Sequence, residues 1–503
     1  MTDTAFNTSG THKDAVPEPG IRTILQWLEL PLAPHPADEL PSLRSHQKAL
    51  RELAGTPLQH ARALDGLYER SATVITQLLP SLATDLVLPV PRKERRIVRS
   101  ILDLLQMLAD DTLALLEAGK GQELSDPRQA PGLAVWRSLN AIAQQILVSS
   151  LIAAPARSGA WQQLHQTYAT ARRLQLHAYV PKDLSRSVRD IYRSAILLGC
   201  AQPPSMTPPE MLFLAAYLER FTGQIEPLPT TAAAAAGTFW IDPARDGPAI
   251  SCLRRLSPPT VPLDGFSCAR LCLLLKTQIA QLDAGILPQE INLPAFAGTS
   301  AGRGVLHRLA ERWSDAGKRR FPRRRQDHRT LLATGIEGVW LLSRKGEATD
   351  VELSTWLISN ESPDGYAVMH VSGHTGALSV GDVAAVRTGS DPNWQIGIVR
   401  WGVSENPEHL ELGLQILAPR AVPAILAQPS NQEGTEYFRV LILPAIPRLR
   451  SSELLVVASG VLPTKHQKLI LVIEDENVFV REVHCTRVHE QTSSVEILSI
   501  GSD

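Results

Sequence analysis

The sequence predicts a multidomain α-then-β fold: an all-helical N-terminal region, then a six-stranded β-barrel, then a second small β unit. Three observations predict it. Apolar residues recur at three- and four-residue steps from about residue 40 to 223. From Gly338 the apolar period changes to two, with turn residues between short runs. The chain has 503 residues, the length of several ordinary domains.

Residues 1–39 begin polar, rich in Thr, Ser and Pro, and are expected to form a flexible N-terminus. They lack the basic segment and apolar core of a signal peptide. Residues 40–316 are expected to form the helical domain. Ile97, Ile101, Leu104, Leu105, Leu108 and Leu115 mark one buried stripe, with Pro91 near its start and Gly119 beyond its end. Leu139, Ile142 and Ile146 mark a helix over residues 136–153. Trp161, Leu164, Tyr168 and Leu174 mark another over 161–177. Trp161, Leu164 and Tyr168 partly match the first helix of a tetratricopeptide repeat, yet the unit does not recur at a period near 34. The stripe reads as the core face of an irregular helical domain, with a repeat-like stack of helix pairs as the alternative. Thr207-Pro-Pro-Glu210 has the spacing of a capping box. The alanine run over 232–236 reads as a linker or a short helix start. Thr238 to Ile241 reads as a strand, residues 248–253 as its return, and 271–283 and 304–314 as helices.

Residues 317–337 form an arginine-rich loop in this reading, and 338–427 the barrel. Its strands are expected over 339–343, 351–358, 366–371, 383–387, 394–401 and 409–416, in the manner of a small closed sheet. A polar linker over 428–435 leads to the last unit, 436–503. Strands are expected there over 437–443, 454–458, 468–473, 478–486 and 493–499.

Composition excludes several function classes. The chain is 44% hydrophobic and 20% charged with a net charge of −1, so it is globular and not a global electrostatic binder of polyanions or membranes. No run approaches the ~20 apolar residues of a membrane span, which with the absent signal peptide points to a soluble, cytoplasmic protein. The five cysteines are sparse. Cys268 and Cys272 lie one helical turn apart and read as buried thiols, with half of a metal site as the alternative. His484, Cys485 and His489 alternate along one expected strand and do not converge on a metal. Phosphate-loop, nucleophile-elbow, zinc-protease and kinase motifs are all missing, so no catalytic residue, metal site or cofactor is expected and the protein is read as a non-enzyme.

Two short motifs carry the chemistry. Residues 318–329 hold seven Lys or Arg, among them Arg324 and the pair Arg325 and Arg329. Asn360, Ser362 and Gly365 follow at the end of an expected strand. A guanidinium fork makes paired bonds to phosphate oxygens or to O6 and N7 of guanine, and its flat face stacks on a base. An amide and a hydroxyl read polar base edges. Glycine allows a positive φ or a close backbone approach at a turn.

Arg325-x-x-x-Arg329 followed by Asn360-x-Ser362-x-x-Gly365 resembles the PilZ family of cyclic di-GMP receptors. The runs Val380-Gly-Asp-Val, Trp394-Gln-Ile-Gly-Ile-Val-Arg-Trp401 and Leu412-Gly-Leu-Gln also resemble it. The resemblance covers roughly residues 319–427. It implies a PilZ-like barrel that binds cyclic di-GMP through Arg325, Arg329, Asn360, Ser362 and Gly365, with Arg324 as an auxiliary contact. It implies a second-messenger receptor whose helical region passes the bound state to an unidentified protein partner. Asp327 between the arginines and a long inter-motif segment depart from the minimal pattern. Arg319/Arg323 and Arg320/Arg324 have the same spacing as Arg325/Arg329. The competing readings are a solvated basic linker, a PilZ-like interaction scaffold that needs no ligand, and nonspecific nucleic-acid binding, against which the expected strands lack interleaved aromatics. Neither specific nucleic-acid binding nor membrane insertion is expected. On the receptor reading, nucleotide neutralises a mobile arginine loop, pins it to Asn360 and Ser362, and rotates the helical region against the barrel.

Overall fold

The computed structural model describes residues 19–118, 130–228, 235–255, 263–314, 321–345, 350–389, 393–406, 408–429, 435–446, 450–462, 468–474 and 478–501. Residues 1–18 of the expected flexible N-terminus, Lys318 to Arg320, most of the alanine run and most of the polar linker lie outside the described residues, as do several expected turn residues.

Among the described residues, eight α-helices come first: α1 (Pro19–Leu28), α2 (Glu39–Glu52), α3 (Pro57–Asp85), α4 (Arg92–Ala118), α5 (Pro131–Leu151), α6 (Ala160–Arg173), α7 (Val188–Cys200) and α8 (Pro208–Phe221). Their caps follow the sequence. Thr56 accepts from the Gln59 backbone N–H while the Gln59 side chain accepts from the Thr56 N–H. The Glu210 carboxylate accepts from the Thr207 N–H at 3.0 Å, completing the expected capping box of α8. A small sheet follows, built from β1 (Glu226–Leu228), β2 (Thr238–Trp240), β3 (Ile250–Ser251) and β4 (Gly265–Ser267) in the order β1-β4-β2-β3. Helices α9 (Ala269–Asp283) and α10 (Ser300–Ser314) close the region.

The first closed barrel contains β5 (Arg324–Thr334), α11 (Ile336–Lys345), β6 (Ser354–Ser362), β7 (Gly365–Ser372), β8 (Val383–Thr388), β9 (Gln395–Asn406) and β10 (His409–Ala418). Its strand order is β10-β7-β6-β5-β8-β9. The second contains β11 (Val422–Pro429), β12 (Thr435–Leu443), β13 (Glu453–Ala458), β14 (Lys468–Glu474), β15 (Val478–Gln491) and β16 (Val495–Gly501), in the order β11-β12-β13-β16-β15-β14. The α-then-β order is the one expected; the helical region also carries the small sheet β1–β4, and the expected second small β unit closes into a six-stranded barrel of its own.

Four elements differ from expectation. Helix α1 falls in the expected flexible start, because Ile21 and Ile24 are buried in the main core. The arginine segment is a strand from Arg324 onward, not a loop. Its polar first half hides the alternation that Leu332 and Ala333 anchor by burial at the other end. The run at 339–343 is part of helix α11, not a strand; four consecutive apolar residues do not separate the two states. Strand β11 pairs with β12 and β14, so residues 422–427 belong to the second barrel and not the first.

The units share cores. The barrel residues Leu332, Trp356, Ile358, Val386, Val399 and Leu412 belong to one apolar cluster with the helices. Leu88 bridges Leu378, donating at 3.0 Å to its carbonyl, and fills the space above Gly402. The Arg95 guanidinium donates to the Ser404 hydroxyl at 2.9 Å, and the Ser404 N–H to the Ala153 carbonyl at 2.9 Å. A second cluster joins the barrels through Trp340, Trp394, Ile396, Leu441 and Val456. Glu496 of β16 accepts from Ser300 at 2.7 Å, tying the second barrel back to α10. A shared core of this extent opposes the expected rotation of the helical region on ligand binding.

Candidate functional site

The two motifs meet on neighbouring strands. Strand β5 runs antiparallel to β6, with Arg325 directly opposite Asn360 and Arg324 opposite Glu361. A bulge at Gln326 and Asp327 then shifts the register, so that Arg329 pairs with Leu357. A second bulge on β6, at Ser359, lets Asn360 and Leu357 pair with Ala367 and Met369 of β7. Those partners are two residues apart, and a strand's side chains alternate, so both lie on one face. Cross-strand partners share a face, so Arg325 and Arg329 also point the same way, away from buried Trp356 and Ile358. Along β7 their rows are roughly 7 Å apart.

Arg324, Arg325 and Arg329 are exposed and make no ion pair among the described residues. Asp327, the acid between the arginines, pairs with neither of them among the described residues. Arg323 Nη1 lies 3.5 Å from Asn360 Oδ1, and Gln326 donates to Glu361 at 2.8 Å. Asn360 donates to Ser359 Oγ at 3.3 Å. Ser362 sits at the β6–β7 turn, its hydroxyl 2.7 Å from Asp364 Oδ1 and 3.1 Å from the Gly365 carbonyl. That hydroxyl is engaged in its own hairpin. Gly365 is there for close approach: a Cβ would overlap the Leu414 carbonyl of β10.

The register continues the Arg325 row across the barrel. Arg325, Asn360, Ala367, Gly413 and Trp401 are successive partners on β5, β6, β7, β10 and β9. The Trp401 indole occupies the space a Cβ on Gly413 would need. Cations and an amide thus stand at one end of a row of small residues, and an indole at the other. Beside it, Gln415 pairs with Gly365 and accepts from Arg400 Nε at 2.7 Å. Gln415 is the residue beside this site that motif spacing missed. Arg323 belongs to the alternative arginine register Arg319/Arg323, whereas Gln415 declares itself only through strand order.

A closed six-stranded antiparallel barrel with an arginine strand facing an Asn-x-Ser-x-x-Gly turn defines the class, and the first barrel is a PilZ domain. Residues 342–423 match the family described as cyclic-di-GMP receptor FimW, middle PilZ domain, and residues 22–230 match cyclic-di-GMP receptor FimW, N-terminal domain. The matched PilZ span contains Asn360, Ser362 and Gly365, while the arginines precede it. A relative, the cyclic-di-GMP receptor FimW of Pseudomonas aeruginosa strain PAO1, is 22% identical over 401 residues, 64% of this chain and 65% of the relative. The match therefore spans just under two thirds of that protein's length. The solved structure of the Bacillus subtilis inhibitor of motility (MotI/DgrA) covers 35% of this chain and 88% of its own at 15% identity and a TM-score of 0.12, too low to bear on the fold. Among the described residues, no helix is long and apolar enough to cross a membrane, and no cluster of His, Cys, Asp or Glu is placed to hold a metal.

Proposed function

We propose that this chain is a cyclic di-GMP receptor that binds the dinucleotide on the outer face of its PilZ barrel. Arg325 and Arg329 grip phosphate or guanine edges, Arg324 adds charge, and Asn360 reads a base edge. Ser362 and Gly365 hold the turn that presents Asn360, and Ser362 bonds the ligand once it leaves Asp364. The observation that carries this reading is the cross-strand pair Arg325–Asn360, with both arginines on one exposed face and lacking carboxylate partners among the described residues. Uncompensated guanidinium groups on one face repel each other, and a dianion relieves that repulsion. The bound state passes to a protein partner through the segment joining α10 to β5, since the shared core makes domain rotation costly. Calorimetry on Arg325→Ala/Arg329→Ala tests the assignment. Loss of two charge-assisted contacts, each worth about 1.5–3 kcal/mol, gives an expected affinity loss of at least a hundredfold. Unchanged affinity overturns it.

One observation favours a second reading, an interaction scaffold that needs no ligand. Tyr437, Val478, Phe479 and Val480 of the second barrel are 68%, 67%, 57% and 69% exposed. Thermal melting separates the readings, because a ligand specific for the folded state raises the midpoint. A flat midpoint at saturating cyclic di-GMP favours the scaffold.

A further inference from the structure

Between the helices and the first barrel lies a cavity of about 720 Å³, well within the size range of small-molecule sites. Its walls come from α5, the turn after it, α7 and β9, and include Trp161, Trp401 and Pro203. Three guanidinium groups, Arg254, Arg312 and Arg400, enter an otherwise largely apolar lining that includes no Asp or Glu.

Charge is unbalanced around this space. Arg400 pairs with Glu490 at 2.8 Å, and Arg308 pairs with Glu210 at 2.7 Å and with Glu490 at 3.7 Å. Both carboxylates are thereby engaged. Arg312 has no carboxylate within ion-pair distance among the described residues; its Nη1 donates to the Ala201 carbonyl at 2.5 Å. Burial, followed by the neighbouring Arg308 cation, lowers its pKa to about 10. Glu210 and Glu490 oppose that fall from beyond ion-pair distance. A half-buried cation with no carboxylate in direct contact is costly, and an anion in the cavity offsets that cost.

We propose that this cavity is a second ligand site, for a mononucleotide-sized phosphate ester: a flat ring lies against Trp161 and Trp401, and the phosphate meets Arg312 and Arg400. The indoles supply stacking area, and a guanidinium fork matches phosphate oxygens. None of Arg325, Arg329, Asn360, Ser362 or Gly365 lines the cavity. Asn360 is three strand steps from Trp401, about 14 Å at the usual strand spacing. The site thus stands apart from the proposed dinucleotide site and does not rest on it.

The test is calorimetric titration of the full chain with 5′-GMP and 5′-AMP, guanosine and inorganic phosphate. It is run on the Arg325→Ala/Arg329→Ala protein and on wild type saturated with cyclic di-GMP. At least one mononucleotide is expected to bind in both settings, with guanosine and phosphate each more than tenfold weaker. Arg312→Met is expected to weaken the mononucleotide at least tenfold. Val403→Trp, which fills the cavity and leaves every arginine in place, is expected to abolish binding and serves if Arg312→Met does not fold. Absence of mononucleotide binding in the arginine-pair variant, displacement by cyclic di-GMP, or binding indifferent to Val403→Trp overturns the proposal.

Discussion

The two barrels have the same topology and different chemistry. Numbering each barrel's strands from one to six in chain order, both close as 1-2-3-6-5-4. In the first, strand one opens with exposed Arg324 and Arg325 opposite strand two. In the second, strand one is β11, Val-Pro-Ala-Ile-Leu-Ala-Gln-Pro, with no cation. The arginine of its strand two, Arg439, is taken up by helix α11: it stacks over Trp340 at 4.7 Å and pairs with Glu337. Trp340 Nε1 also donates to the Ala424 carbonyl at 2.9 Å. The outer face that carries exposed arginines in the first barrel is, in the second, covered by the first barrel's own helix. Sheet topology sets where a site can stand; side chains and cover decide whether one exists.

The sharpest way to break this comparison is to remove arginines from each barrel in turn. Arg325→Ala/Arg329→Ala is expected to cost at least a hundredfold in cyclic di-GMP affinity, about 3 kcal/mol or more. Arg439→Ala is expected to leave that affinity within about twofold, while costing roughly 1 kcal/mol of stability through the lost contact with Trp340. Calorimetry and denaturant melts on both variants check this. Equal losses of affinity would mean that the second barrel also holds ligand.

A smaller effect separates the barrels' glycines. A Cβ on Gly365 overlaps the backbone carbonyl of Leu414, which cannot swing aside as a side chain can. Gly365→Ala is expected to cost about 3 kcal/mol and to disturb the Asn360 turn with it. Gly460 of the second barrel has φ +79 with open space around it. Gly460→Ala is expected to cost about 1 kcal/mol of backbone strain, and Gly460→Asn less. Urea midpoints distinguish the pair, and a Gly365→Ala protein as stable as wild type would refute the close-approach account.

Much of this was legible in the chain because it depended on local pattern. The stripe Ile101, Leu104, Leu105 and Leu108 gave a helix, and Thr207 with Glu210 gave its neighbour's start. Asn360, Ser362 and Gly365 could be read because a turn motif is contiguous. What escaped depended on partners distant in sequence. Nothing near Arg324 says that it begins a strand, since its partner Glu361 lies beyond a helix. Val339 to Leu342 reads equally as helix or strand until Trp340 finds Ala424. Both bulges that turn Arg325 and Arg329 to one face are features of register, which the sequence carries only through packing. Arg312 carries no local signal; only the fold sets it in a cavity wall.

The smallest predicted effect lies at the seam between the barrels. Asp382, before β8, accepts from the Ser379 N–H at 2.7 Å and from the Ser494 hydroxyl of the second barrel. Burial raises its pKa above the usual 3.8, and those hydrogen bonds offset part of the rise. The folded chain therefore keeps this proton to higher pH than the unfolded chain. Stability from this group is fully present below 3.8 and falls as pH rises through the raised folded value. Asp382→Asn does not titrate, so the stability difference, wild type minus variant, should decline over that window and then level off. Urea melts of both proteins at stepped acidic pH measure it. A difference that grows with pH would mean that the carboxylate is held by its hydrogen bonds more strongly than burial opposes it. The seam would then be a charged contact and not a desolvated one.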